Sequence, residues 1–126
     1  MSESYVANIV ETSKELSARE RLRMKDFTNA QQLDSVVSGE NETFVIAPAA
    51  YAVIEVHNEK SKDKKDYRKI VIVDTADNKF VTGSESFIRN FKEIYAEMNG
   101  EPFEIEVYKK PSKNYNGKEF ITCSVL

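Results

Sequence analysis

From Thr82 to Gly100 the chain carries one stripe of large apolar residues, Phe87, Ile88, Phe91, Ile94, Tyr95 and Met98, at the spacing of a single helix face. Thr82-Gly-Ser-Glu85 in front of it reads as a capping box. Asn99-Gly100 behind it offers a glycine for a left-handed C-terminal position. This helix is bracketed by β-type runs, three before it and two after. The first is Thr43–His57, broken by Pro48, in which Ala52, Ile54 and Val56 alternate with Tyr51, Val53, Glu55 and His57. The second, Tyr67–Thr75, has a Val/Ile centre that fits burial on both faces, and Asp77-Asn78 turns it into the third, Lys79–Thr82. After the helix, Phe103, Ile105 and Val107 alternate with Glu104, Glu106 and Tyr108. A last run, Glu119–Leu126, puts Ile121, Cys123 and Val125 on one face.

Strand, strand, strand, helix, strand, strand is the order of a five-stranded Greek-key barrel of the OB type, with its helix between strands three and four. The expectation is therefore a mainly β (α+β) domain over residues 43–126, preceded by a partly helical extension over residues 1–42. Residues 1–15 read as a short helix or an arm. Residues 17–35 read as one or two helical pieces, opening on the capping box Ser17-Ala-Arg-Glu20 and on a second start at Thr28. Residues 38–42 read as a polar turn. The extension is expected to pack on the barrel or to join subunits into a homo-oligomer.

Charge is placed against the total. The insert Asn58–Lys69 holds six basic residues against three acidic ones, and Lys109–Glu119 holds four against one, so each carries +3. The whole chain carries −3, which leaves −9 for everything else. A single lysine-rich loop is most often a solvated surface. These two, however, fill the connections between strands one and two and between strands four and five, which flank the binding face of an OB barrel. Lysines there would release counterions from a nucleic-acid backbone, and aromatic faces would stack bases. The expected ligand is a single strand of DNA, with RNA as the alternative. Lys60, Lys62, Lys64, Lys65, Arg68 and Lys69 would neutralise phosphates on one side, and Lys109, Lys110, Lys113 and Lys118 on the other. Tyr115, Tyr108, Tyr51, Tyr67 and Phe120 would supply stacking surfaces, with His57 at a strand end touching the ligand. Phe87, Phe91, Tyr95 and Phe103 read as core, and Phe80 fits either role. The Arg19/Arg21/Arg23/Lys25 run reads first as a salt-bridged helix face, and otherwise as a nucleic-acid or subunit contact.

Other chemistries find no support in the residues. One histidine and one cysteine make no metal set. No GxxxxGK[ST], GxSxG or HExxH motif occurs, so neither an enzyme nor a cofactor is expected. Glu104 and Glu106 sit on an exposed strand face, and Asp74 and Asp77 suit turn chemistry. No apolar run approaches the ~20 residues of a membrane span. With a lone, buried-looking Cys123 and no leader pattern at the N-terminus, the cytoplasm is expected. The rival reading is a protein-interaction or virion assembly module on a small β-barrel.

Val53–Ser61 with Tyr67–Thr75, the stretch Phe80–Phe87, and Tyr108–Cys123 (YKKPSKNYNGKEFITC) resemble small single-stranded-DNA-binding proteins encoded by phages of Gram-positive bacteria. Leu16–Leu22 belongs to the same pattern, so the resemblance covers most of residues 16–126. It implies an OB-fold and sequence-tolerant binding of single strands in phage DNA replication or recombination, in the host cytoplasm. Many such proteins recruit partners through an acidic C-terminal tail. This chain ends in apolar Ile121–Leu126, so recruitment by a tail is not expected.

Overall fold

Residues 5–12 are extended rather than helical. In the computed structural model, which describes residues 5–13, 16–26, 29–37, 42–58, 66–111 and 119–126, strand β1 spans Tyr5–Thr12. Its alternation is broken by a bulge between Ile9 and Glu11, which leaves Val10 exposed and hides the period-two signal in the sequence. Helix α1 (Ala18–Lys25) follows, held by the expected capping box. Ser17 Oγ accepts from Glu20 N at 3.2 Å, and Glu20 Oε1 accepts from Ser17 N at 3.0 Å. Strand β2 (Gln31–Gln32) runs directly into the one-turn helix α2 (Leu33–Val36). The second start signal, Thr28, lies outside the described residues.

The long run from residue 43 divides at its proline into β3 (Thr43–Ile46) and β4 (Pro48–Asn58). Then come β5 (Asp66–Asp74), β6 (Lys79–Thr82), helix α3 (Glu85–Met98), β7 (Ile105–Pro111) and β8 (Glu119–Val125). The β5–β6 turn is built by Asp74, whose carboxylate accepts from the backbone N–H groups of Ala76 (3.0 Å) and Asn78 (2.7 Å), while Asp77 takes a positive φ of 70°. Helix α3 starts two residues later than its sequence signal. Thr82 stays in β6 opposite Ile70 and donates its hydroxyl to Asp34 (2.7 Å), so Ser84 becomes the cap and accepts from Phe87 N. Asn99 (φ 48°) and Gly100 (φ 90°) end the helix in the left-handed region.

Two sheets result. One has the order β1-β4-β5-β6-β2, antiparallel except for the β2–β6 pair, and the other has the order β3-β7-β8. The fold is mainly β, as expected, but the described strands do not close into a barrel. The far edge of β6 is taken by β2. Where a ladder from β6 to β8 would complete a barrel, the described bond is a side-chain one, Ser84 Oγ donating to the Ile121 carbonyl at 2.6 Å.

The middle of the five-stranded sheet is buried on both faces. Its inner face (Tyr51, Val53, Ile70, Ile72, Phe80) packs against Phe87, Ile88 and Phe91 of α3 and against Ile105, Val107, Ile121 and Cys123 of the second sheet. Leu33 and Val37 complete this cluster from the N-terminal segment. The outer face (Ala50, Ala52, Ile54, Val56, Val71, Val81) is covered by Leu16 and Met24. Lys79 fastens that cover. Its buried ammonium donates to the carbonyls of Arg23 (3.0 Å) and Asp26 (2.6 Å) at the end of α1, where acceptors are left over by the helix.

Removing Leu33, a fully buried side chain of the one-turn helix α2, opens a cavity in the main core. Leu33→Ala should cost about 2–5 kcal/mol in urea unfolding. Leu22→Ala, at a position 66% exposed on α1, should stay within about 0.5 kcal/mol of wild type. Equal effects of the two would contradict the packing described.

Candidate nucleic-acid interface

Each basic insert grows from a strand end with the same local sequence, Tyr-x-Lys: Tyr67-Arg68-Lys69 at the start of β5 and Tyr108-Lys109-Lys110 near the end of β7. Period-two alternation puts the tyrosine and the closing lysine of each triplet on one face and the middle residue on the other. Lys69 Nζ lies 5.9 Å from the Tyr67 ring centroid, and Lys110 Nζ lies 5.8 Å from that of Tyr108. Both are cation–π distances. Each lysine is thereby held beside a tyrosine ring, exposed at Tyr67 and half-buried at Tyr108.

The middle residues are used differently. Arg68 turns to the opposite face and forms a fork with the Glu85 carboxylate, with contacts of 2.8–3.1 Å. Glu85 raises the Arg68 pKa further above its ordinary value. Lys109 donates to the Asp34 carbonyl at 2.9 Å, tying β7 to α2. Both were expected as phosphate contacts. In the structure one is neutralised by a carboxylate and the other bridges backbone, so each holds a hairpin root in place.

The two roots meet at the β6–α3 junction. Gly83 lies against the Arg68 carbonyl and the Lys69 side chain, and the next residue, Ser84, bonds to the Ile121 carbonyl. Ile121 is paired with Lys109, and its neighbour Phe120 is paired with Lys110. Phe120 and Tyr108 are both half-buried and share one face of the second sheet with Thr122, which is buried against Ser86 and Asn90 of α3, and the Tyr108 hydroxyl is bonded to Ser124 at 2.6 Å. The segment Thr82–Ser84 thus lies beside Lys69 on one side and is tied on the other to the β8 backbone at Ile121, one residue from Phe120.

Tyr51 does not belong to this surface. Its phase on β4 points it into the main core, where it is 7% exposed and meets Phe91 and Tyr95 edge-on at 5.3 and 5.0 Å. Its hydroxyl donates to Glu11 at 3.0 Å, and burial together with that carboxylate pushes its pKa well above the usual tyrosine range. A base cannot reach either ring face, so Tyr51 is a core residue and not a stacking platform. Phe80 is core as well. His57 is half-buried on β4, paired with Asp66 at the foot of the first insert. Lys60, Lys62, Lys64, Lys65, Lys113, Tyr115 and Lys118 lie outside the described residues. In the Arg/Lys run of α1, Arg23 pairs with Asp77 at 2.9 Å, which docks the helix on the β5–β6 turn. Cys123 is buried, and that burial pushes its thiol up to about 12.

The Tyr-x-Lys repeat is readable in the sequence, whereas its sorting into a tyrosine–lysine pair on one face and an engaged middle residue on the other is not. Among the described residues no helix is long and apolar enough to cross a membrane, and no group of three or more His, Cys, Asp or Glu is arranged to hold a metal. No family model, curated protein or solved structure matches the chain.

Glu11 marks the edge of this region. Burial raises its pKa, but bonds from Lys92 (2.7 Å) and Tyr51 outweigh that and hold it below the ordinary 4.5. A carboxylate lowered in the folded state contributes stability above its unfolded pKa and loses it as the pH falls through the folded value. The stability difference between wild type and Glu11→Gln should therefore be largest near neutrality and shrink toward about pH 3. A pH-independent difference in urea unfolding would count against the Lys92–Glu11–Tyr51 arrangement.

Proposed function

We propose that this chain binds single-stranded nucleic acid, DNA in the first place, with little sequence preference, and that it serves DNA replication or recombination of a phage in its host's cytoplasm. The observation that carries the reading is the pair of Tyr-x-Lys roots, Tyr67/Lys69 and Tyr108/Lys110, beneath two inserts of net +3 in an otherwise acidic chain. A lysine fixed beside a tyrosine face suits a nucleotide in particular. The phosphate meets the ammonium while its base stacks on the ring, and a duplex, whose bases are already stacked, gains only the charge term.

The topology supports an OB-type architecture for this function. The run 43–58 pairs with β5 through its second half and with β7 through its first, and the helix stands between β6 and β7. Both are features of that fold, and the two inserts then occupy the connections that flank its binding face. The exposed outer face is displaced toward the insert end, because Leu16 and Met24 cover the middle of β5 and β6. The resemblance to phage single-strand-binding proteins points the same way. The lysines 60, 62, 64, 65, 113 and 118 act in this reading as the phosphate-tracking arms, with Tyr115 as a further stacking ring.

In fluorescence-anisotropy titrations of labelled oligo-dT at low salt, Tyr67→Ala and Tyr108→Ala should each weaken binding by about 1–3 kcal/mol. Tyr51→Phe should leave it unchanged. Lys110→Gln should reduce the slope of log K against log salt by about 0.7, the share of one phosphate contact on a single strand. No measurable binding by wild type at low salt would end the proposal and favour the protein-interaction reading.

A further inference from the structure

Two described glycines can be compared directly. Gly100 has φ 90°, a conformation that requires glycine at the end of α3. Gly83 has no such need, since its φ lies outside the left-handed region. Packing does not demand it either. A β-carbon added there would meet only the Arg68 carbonyl at 3.7 Å and Lys69 Cγ at 3.9 Å, both ordinary van der Waals contacts. An unforced glycine enlarges the entropy of the unfolded chain and so costs stability without a local return. What remains is clearance. Thr82 points inward, so the missing side chain of Gly83 would point outward, on the face that carries Lys69. The position is exposed, lies beside Lys69, and directly precedes Ser84, whose hydroxyl ties this segment to the Ile121 carbonyl of β8.

We propose that the bound strand crosses the protein at Gly83, where its sugar-phosphate backbone rests against bare main chain beside the Tyr67/Lys69 pair on its way to Tyr108, Lys110 and Phe120. This rests on the single-strand-binding reading above and adds a path to it. Side chains on either side hold bases and phosphates, and the glycine keeps the floor low enough for one strand to span both. A residue with a β-carbon and more at this point lifts the strand off one pair or the other. The requirement is one of space at the ligand, not of folding.

Gly83→Ala and Gly83→Leu, compared with wild type by thermal melting and by oligo-dT anisotropy, separate the two roles. Both variants should melt at or slightly above the wild-type temperature. Affinity should fall with side-chain size, by at least about tenfold for leucine, with the salt dependence retained because the lysines remain. Independently, the Gly83 amide resonance of the unmodified protein should shift on titration with oligo-dT. A folded Gly83→Leu protein that binds like wild type overturns the inference, as does a Gly83 amide that ignores saturating oligonucleotide. Wild type that binds oligo-dT through Tyr67 and Tyr108 but shows either result loses only this path. Wild type that does not bind at all loses the path and the underlying function together.

Discussion

A proline has no N–H to give to a ladder, so the run from Thr43 to Asn58 cannot continue as one strand through Pro48. The chain pairs with β7 before that point and with β5 after it, and Thr75 N donates to the Ala47 carbonyl to hold the crossing. The rest of the architecture depends on this change of sheet. It sets the two sheets against a shared cluster of Ile, Val and Phe side chains, gives α3 a cleft to fill, and leaves the far edge of β4 without a partner. Strand β1 occupies that edge and satisfies backbone groups that a buried face could not leave unpaired.

The N-terminal residues are consequently structural over much of their length. Residues 5–12 complete the five-stranded sheet, Leu33 and Val37 enter the main core, and Leu16 and Met24 roof the outer face. Lys79 joins roof to sheet through a charge-assisted bond to each of two helix-end carbonyls. Covering the centre of β5 and β6 leaves the exposed part of that face toward the insert end. At the roots of the two inserts tyrosine and lysine share one face while Arg68 and Lys109 point away and anchor the roots. One alternation rule produces both roles within each three-residue triplet.

Much of the main domain was legible from residue types. The helix over 85–98, the hairpin turned by Asp74–Asn78, and the strand phases that bury Ile105, Val107, Ile121 and Cys123 all follow from local periodicity and turn chemistry. Strand β1 was not legible, because its bulge breaks the alternation and its stability comes from β4, some 40 residues away in sequence. The cap of α3 was misplaced for a related reason. Thr82 and Ser84 both suit an N-cap, and the choice fell to a tertiary bond from Thr82 to Asp34. Tyr51 illustrates the limit for the site: its strand phase was read correctly, but which of the two phases of β4 faced the helix was a property of packing.

By itself, the sequence determined the order of the main elements, the helix and its ends, and the concentration of positive charge in two inserts, since each depends on residues within a few positions of one another. The tertiary structure alone decided that the strands form two sheets without closing, that the N-terminal segment completes one of them, and which lysines and tyrosines share a surface. Those outcomes depend on backbone groups seeking partners and apolar faces seeking cover across long separations, where many pairings are compatible with the same local pattern. The two inserts are a feature of composition. The sorting of the residues at their roots, with Tyr67 beside Lys69, Tyr108 beside Lys110, and Arg68 and Lys109 engaged, is a feature of the fold.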